Sequence, residues 1–167
     1  MRNIILIGPM AAGKTTVGKA LATELQRNFI DTDDALEVEQ GQNMTTLYTS
    51  LGDAAFRELE TDLLARVLTT SNHIIATGGG VVLRPENRAL LQHHGNVVFL
   101  DVSVSTQVVR LREDESRPLL QGYDRSTRLQ ELSEIRRHWC EQIAQHRVAT
   151  DNLCVDEIVR CLMTLSP

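Results

Sequence analysis

Residues 8–16 read Gly-Pro-Met-Ala-Ala-Gly-Lys-Thr-Thr, directly after the apolar run Ile4-Ile5-Leu6-Ile7 and directly before a segment with helical spacing. This is the pattern G-x-x-x-x-G-K-S/T, in which a strand breaks at a glycine-bearing turn and resumes as a helix. Backbone N–H groups at such a turn converge on one concavity at a helix N-terminus, where the helix dipole favours anions. The concavity is a seat for polyphosphate. Lys14 would add a point charge over the β- and γ-phosphates, and the Thr15 hydroxyl would ligate the Mg²⁺ that accompanies a nucleoside triphosphate.

The rest of the chain repeats the alternation that this opening sets. Strand-length apolar runs fall at 4–7, 28–31, 73–76 and 97–100, with a weaker one at 147–150. Between them, Val17, Leu21 and Leu25 mark one face of a helix after the loop. A short helix carries Ala35, Leu36 and Val38, a second covers 45–51, and a longer one covers 54–69 with Phe56, Leu59, Leu63 and Val67. Pro85 stands where a first-turn proline belongs, opening a helix that should end by Gly95. Leu129, Leu132, Ile135, Trp139 and Ile143 recur at helical spacing, and Ile158, Val159 and Leu162 close the chain in the same way. Strands separated by helices predict a parallel sheet covered on both faces, a three-layer α/β fold. Residues 113–126 break the rhythm: they are polar, contain Arg117-Pro118 and Gly122, and read as a mobile excursion.

At 167 residues one domain over 1–167 is expected. Aromatic content of 4% leaves the core to Leu, Ile, Val and Ala, which suits helices laid on a parallel sheet. A net charge of −5 argues against nucleic acid as a partner, since a polyanion needs a basic face. Only Lys14 and Lys19 among the 17 basic residues are lysines, so nearly all other cations are the arginines suited to carboxylate and phosphate. Cys140, Cys154 and Cys161 lack C-x-x-C spacing, and their odd number favours a reducing cytoplasm. No secretory apolar region and no membrane span are expected.

Three polar clusters fall where strands end, the ligand crevice of an open α/β sheet. In Asp31-Thr32-Asp33-Asp34, period-two spacing on an extended chain would put Asp31 and Asp33 on one side, facing the phosphate loop. Asp31 would help hold Mg²⁺ through water or Thr15, and Asp33 would accept a hydrogen bond from a substrate hydroxyl and raise its nucleophilicity. Asp34 is read as the cap of the next helix. Gly78-Gly79-Gly80 would permit a backbone path and a close approach that a Cβ obstructs. Arg57, Arg117, Arg136 and Arg137 are scattered, and spacing alone does not separate them from solvated surface arginines. His93-His94 diverge on a helix and form no metal motif, and Cys140 with His138 is expected to be packing.

The segments GPMAAGKTTVG, FIDTDDALE, FRELE, ATGGGVVL, RPLL and RRHWCEQIA, in this order, resemble the shikimate kinases over nearly the whole chain. The loop alone is shared by many NTPases; D-x-D, F-R-x-x-E and G-G-G in register are more specific. The resemblance implies a five-stranded parallel sheet of order 2-3-1-4-5, and an ATP-dependent kinase that phosphorylates the 3-hydroxyl of shikimate in aromatic amino-acid biosynthesis. It implies that Asp33, Arg57, Gly79 and Arg136 bind shikimate, with the arginines on its carboxylate. Arg117 matches a lid arginine over ATP, Thr15 the magnesium ligand, and Ala11, Ala12, Gly13, Lys14, Thr15 and Thr16 the phosphate cradle. Lys14, Asp33 and Arg117 would carry the chemistry, and a monomer is expected.

This chain departs from that pattern twice. Ala11 stands where the family has glycine, which is harmless at negative φ because the loop uses the backbone N–H. His138-Trp139-Cys140 replaces Pro-Leu-Tyr, which predicts altered packing beside Arg136, and Arg137 offers an alternative register. The rival readings are a kinase of the same fold acting on another hydroxy acid such as gluconate, and a silent nucleotide-binding paralogue.

Overall fold

The computed structural model describes residues 1–112, 118–120 and 122–165. Five strands, β1 (Asn3–Ile7), β2 (Asn28–Asp31), β3 (His73–Ala76), β4 (Gly95–Asp101) and β5 (His146–Ala149), form one sheet of order β2-β3-β1-β4-β5. Every pairing is parallel, and β1 lies in the middle with β3 and β4 on its flanks. The strand order changes direction beside β1, so the loop leaving β1 opens at the switch point where α/β sheets bind ligands.

Alternation along β1 divides the core. Ile5 and Ile7 join Leu36, Leu64, Ile75, Leu91 and Phe99 on one face, while Ile4 and Leu6 join Val17, Leu21, Ile74, Leu100 and Ile158 on the other. The first face is covered by α2 (Thr32–Gln40), α3 (Met44–Leu68), α4 (Pro85–His94) and the last part of α6 (Arg125–Ile143). The second is covered by α1 (Lys14–Leu25) and α7 (Val155–Leu165). A seven-residue helix, α5 (Val104–Arg110), follows β4 and is capped by Ser103, whose side chain accepts from the Thr106 N–H. None of the described helices is long and apolar enough to cross a membrane.

The two helices expected over 45–51 and 54–69 are the two halves of α3, which meet at a kink where Gly52 leaves the helical region (φ 76°, ψ 169°). Positive φ suits glycine, and the bend turns the first part of α3 over the mouth of the crevice. Arg117, the expected lid arginine, lies outside the described residues, as do the other residues of 113–117 and residue 121 of the expected excursion at 113–126. Within that stretch, 118–120 form one 3₁₀ turn, and α6 begins at Arg125.

Candidate active site

The phosphate loop runs from the end of β1 into α1, with Gly13 at the N-cap (φ 92°). Lys14 Nζ donates to the carbonyls of Gly8 and Pro9, both at 2.8 Å, so its ammonium lies back across the loop mouth. Ala11 does not have the negative φ expected of it: its φ is 60°, the left-handed region. The loop path demands that geometry whichever residue occupies the position, and a Cβ there costs about 1–2 kcal/mol. Ala11→Gly is expected to stabilise the protein by about 0.5–1 kcal/mol once glycine's greater unfolded freedom is set against the relief. It should leave kcat unchanged, because the N–H remains; a thermal melt with no upward shift would show that the loop is not strained here.

Two residues of α5 hold this loop from outside. Gln107, buried, donates from Nε2 to the Met10 carbonyl at 2.8 Å, and Arg110 donates from Nη1 to the Ala11 carbonyl at 2.9 Å. Arg110 also donates from Nη2 to the Thr150 carbonyl at 2.7 Å, tying the loop to the end of β5. A cleft of about 1020 Å³ opens on this side, lined by residues 11–13, Thr16, Arg110, Leu153 and Cys154. The sequence reading assigned no element here, although Val104, Val108 and Leu111 recur at helical spacing behind Ser103, so both tethers escaped it.

Asp31 has three partners. Its Oδ2 accepts from Thr15 Oγ1 at 2.6 Å, and its Oδ1 accepts from the N–H groups of Asp33 (3.0 Å) and Asp34 (3.5 Å). Asp31 is therefore the N-cap of α2, and Asp34, expected to be the cap, lies in the first turn. Because the helix starts at Thr32, Asp31 and Asp33 are not alternate residues of an extended chain. They diverge, Asp31 to Thr15 and Asp33 to the glycine triplet, where a Cβ on Gly78 would fall 2.6 Å from Asp33 Oδ1.

The triplet's glycines serve neighbouring side chains. None of the three has positive φ. A Cβ on Gly80 would overlap the Arg57 guanidinium, and one on Gly78 would press on Asp33 and Glu60. Gly79 meets only ordinary contacts, and its carbonyl accepts from Arg136 Nη1 at 3.2 Å. Arg57, Asp33, Gly79 and Arg136 thus converge on one cleft of about 630 Å³, which Tyr48 and Phe56 also line.

The two arginines differ in compensation. Arg57 is 8% exposed and donates from Nη1 to Glu60 Oε2 at 2.8 Å, with Asp53 3.4 Å from its Nε. Burial works against its charge, but Glu60 and Asp53 outweigh burial and hold its pKa above the usual guanidinium value. Arg136 is 7% exposed, its Nε has no partner among the described residues, and burial, then repulsion by Arg57, pull its pKa down to about 10 against a partial offset from Glu60. Glu60 already pairs with Arg57, so Arg136 is the less compensated of the two cations and suits an anionic ligand. Arg137, the alternative register, points elsewhere and donates to Asp101 Oδ2 at 2.6 Å. Glu60 was visible only as the last residue of F-R-E-L-E and was not singled out. Cys140 is buried, and burial pushes its thiol up to about 11, which suits packing rather than nucleophilic work.

A phosphate loop at the sheet's switch point, opposite a cleft with two buried arginines, defines a P-loop kinase fold with an anionic-substrate cleft beside the nucleotide seat. A family model described as shikimate kinase matches residues 10–165. A shikimate kinase of Thioalkalivibrio sulfidiphilus is 43% identical over 158 residues, covering 95% of this chain and 83% of its own length. One from Xylella fastidiosa is 42% identical over 151 residues, covering 90% of this chain and 84% of the relative. Among solved structures, shikimate kinase from Acinetobacter baumannii in complex with shikimate superposes with a TM-score of 0.96 at 34% identity, over 99% of this chain and 92% of that one. The chain belongs to the shikimate kinase family.

Proposed function

We propose that this chain transfers the γ-phosphoryl group of ATP to the 3-hydroxyl of shikimate, giving shikimate 3-phosphate and ADP. Family membership supports the reaction, and one observation carries the substrate assignment: Arg136, buried and without an ion pair among the described residues, faces the same cleft as Asp33 and Arg57. A hydroxylated carboxylic acid supplies what that cleft lacks. Its carboxylate pairs with Arg136 and Arg57, and its ring hydroxyls meet Asp33 and the Gly79 backbone.

In this reading Asp33 accepts the proton of the attacking hydroxyl as that oxygen bonds to the γ-phosphorus and the bridging oxygen leaves with ADP. The amides of residues 11–16 and Lys14, released from its own loop carbonyls, hold the phosphates. Arg117 closes over them from the lid at about 113–126 and helps exclude water. The adenine occupies the cleft beside Arg110 and Leu153. Thr15 and Asp31 place a hydroxyl and a carboxylate 2.6 Å apart beside the loop, a hard-oxygen set that fits Mg²⁺. When bound, Mg²⁺ neutralises developing phosphate charge. The chain supplies both clefts from its own elements, which supports a monomer, and its free thiols support a reducing cytoplasm.

The test is shikimate-dependent ADP formation with Mg²⁺, run beside gluconate and a panel of hydroxy acids. ATP binding without turnover on shikimate would point to a silent paralogue, and faster turnover on gluconate to the rival substrate. Arg57→Ala is expected to raise KM for shikimate by at least about 30-fold, the cost of truncating one partner of a buried charge pair, with KM for ATP changed by less than about twofold. Equal effects on both substrates would move Arg57 to the nucleotide site.

A further inference from the structure

Arg136 and Arg137 are adjacent on α6, and successive residues of a helix point about 100° apart. Arg136 enters the substrate cleft; Arg137 reaches the C-terminal end of β4, where its Nη2 donates to Asp101 Oδ2 at 2.6 Å. Arg147 of β5 donates to the same oxygen from Nε at 3.0 Å and from Nη2 at 2.5 Å. Glu141, one turn along α6, accepts from Arg137 Nε at 3.2 Å and lies 3.8 Å from Arg147 Nη1. Asp101 is 5% exposed, and its Oδ1 has no partner among the described residues. Asp101 and Arg136 both line a narrow cleft between α6 and the end of β4, which Leu132 and Cys140 complete.

Arg136 itself is weakly tethered. Its one hydrogen bond among the described residues is the 3.2 Å contact to the Gly79 carbonyl, so its guanidinium is placed mainly by where its backbone stands. That backbone lies at a changeover in α6. Upstream, Leu129 packs with Leu111 and Leu120 in a small cluster away from the sheet; downstream, Cys140 and Ile143 enter the sheet core. Leu132 and Cys140, four residues to either side of Arg136 on the same buried face, seat that turn, and its polar flanks add two contacts that fix the roll further: the Arg137–Asp101 pair, and Trp139, whose ring lies 3.7 Å from the Arg88 guanidinium carbon on α4.

We infer that Asp101, through Arg137, is a positioning residue for Arg136, setting the helix roll that aims the Arg136 guanidinium at the substrate carboxylate. The inference rests on the reading of Arg136 as a carboxylate-binding group. Neutralising Asp101 leaves Arg137 and Arg147 with Glu141 alone, and the two cations repel where they had converged. The turn carrying Arg136 then shifts, and misplacement of about 1 Å can cost a binding group up to about a hundredfold. Asp101 touches neither substrate, so its loss should act on shikimate affinity and spare the nucleotide.

The experiment compares Asp101→Asn, Asp101→Glu, Arg137→Met and Arg136→Met with the unaltered protein, measuring kcat and both KM values. Trp139, the single tryptophan, lies three residues from Arg136 on the same helix and gives a fluorescence titration with shikimate alone. Asp101→Asn and Arg137→Met are expected to raise KM for shikimate about tenfold or more and to weaken the Trp139 titration by the same factor, with kcat and KM for ATP within about twofold. Asp101→Glu should recover most of the loss. Unchanged shikimate affinity in Asp101→Asn, or parallel loss for both substrates, would overturn the inference. Should Asp101→Asn fail to fold, Arg137→Met breaks the same contact from a partly exposed side chain and decides the matter by the same readings. Arg136→Met separates the two claims. If it leaves shikimate affinity intact, the reading of Arg136 fails; if it abolishes affinity while Asp101→Asn and Arg137→Met do not, only the positioning role fails.

Discussion

Asp33→Asn is expected to lower kcat for shikimate phosphorylation by at least about a hundredfold, the usual scale of general-base loss, with both KM values close to unchanged. The substitution keeps shape and removes only charge and basicity, which matters because Asp33 sits in tight quarters: a Cβ on Gly78 would lie 2.6 Å from its Oδ1. Asn can still accept a hydrogen bond from the substrate hydroxyl, so the acceptor stays positioned, but its amide cannot take the proton when the oxygen attacks phosphorus. Single-turnover measurement with ATP and shikimate both saturating isolates that step. A variant that phosphorylates shikimate at full rate would remove Asp33 from the chemistry and leave it a binding group. Gly78→Ala is a useful companion, since it displaces the Asp33 side chain without altering its charge.

The sheet was legible because β1 and β3 bury both faces and so read as unbroken apolar runs, and because the phosphate-loop pattern anchors a strand and a helix at known positions. Side chains whose roles depend on where an element begins were harder. Asp31, Asp33 and Asp34 are one short acidic run, and a helix starting one residue after Asp31 makes Asp31 the cap, whereas a longer strand would have made it Asp34. Helix boundaries shift by a residue or two on weak local energies, and here that shift decides which carboxylate meets Thr15. The glycine triplet was legible as a close approach, but the approaching atoms were not. They are the chain's own Asp33, Glu60 and Arg57, contributed from α2 and α3, and long-range contacts leave no mark in local spacing. The same holds for Arg136 and Arg137: adjacent residues of one type are separated only by the helix phase and by Asp101 waiting at the end of β4. Ala11 shows the opposite case, a local rule that tertiary structure overrides, since its φ of 60° belongs to the loop path and Arg110 on α5 holds its carbonyl in place.

Arg136→Met is expected to give a more stable protein and a far poorer enzyme. Without substrate the Arg136 charge is buried with only the neighbouring Glu60, itself paired with Arg57, to offset it, and burial and Arg57 together lower its pKa to about 10. A cation whose folded pKa is depressed destabilises the fold wherever it stays protonated in both states. That penalty is therefore fully present below pH 10 and is relieved only as pH rises above about 10. At neutral pH it is a constant cost of up to about 3 kcal/mol, from roughly 1.4 kcal/mol per pKa unit. Methionine fills a similar path with apolar atoms and carries no charge, so the melting temperature should rise by several degrees, at about 2–4 °C per kcal/mol for a chain of this size. Function moves the other way: shikimate loses the cation for its carboxylate, and kcat/KM should fall by about a hundredfold or more. A second contrast ties the two effects to one cause. In the unaltered protein, shikimate at about 100 times its Kd should add roughly 2.7 kcal/mol of stability, because it binds only the folded state. In Arg136→Met the same concentration should add little. A variant that is less stable than the parent would mean that the Arg136 charge is already compensated in the unliganded protein. A variant that is still stabilised by shikimate as strongly as the parent would mean that the carboxylate is gripped elsewhere. The site is expected to satisfy neither condition: the anion that compensates Arg136 is the substrate's own carboxylate.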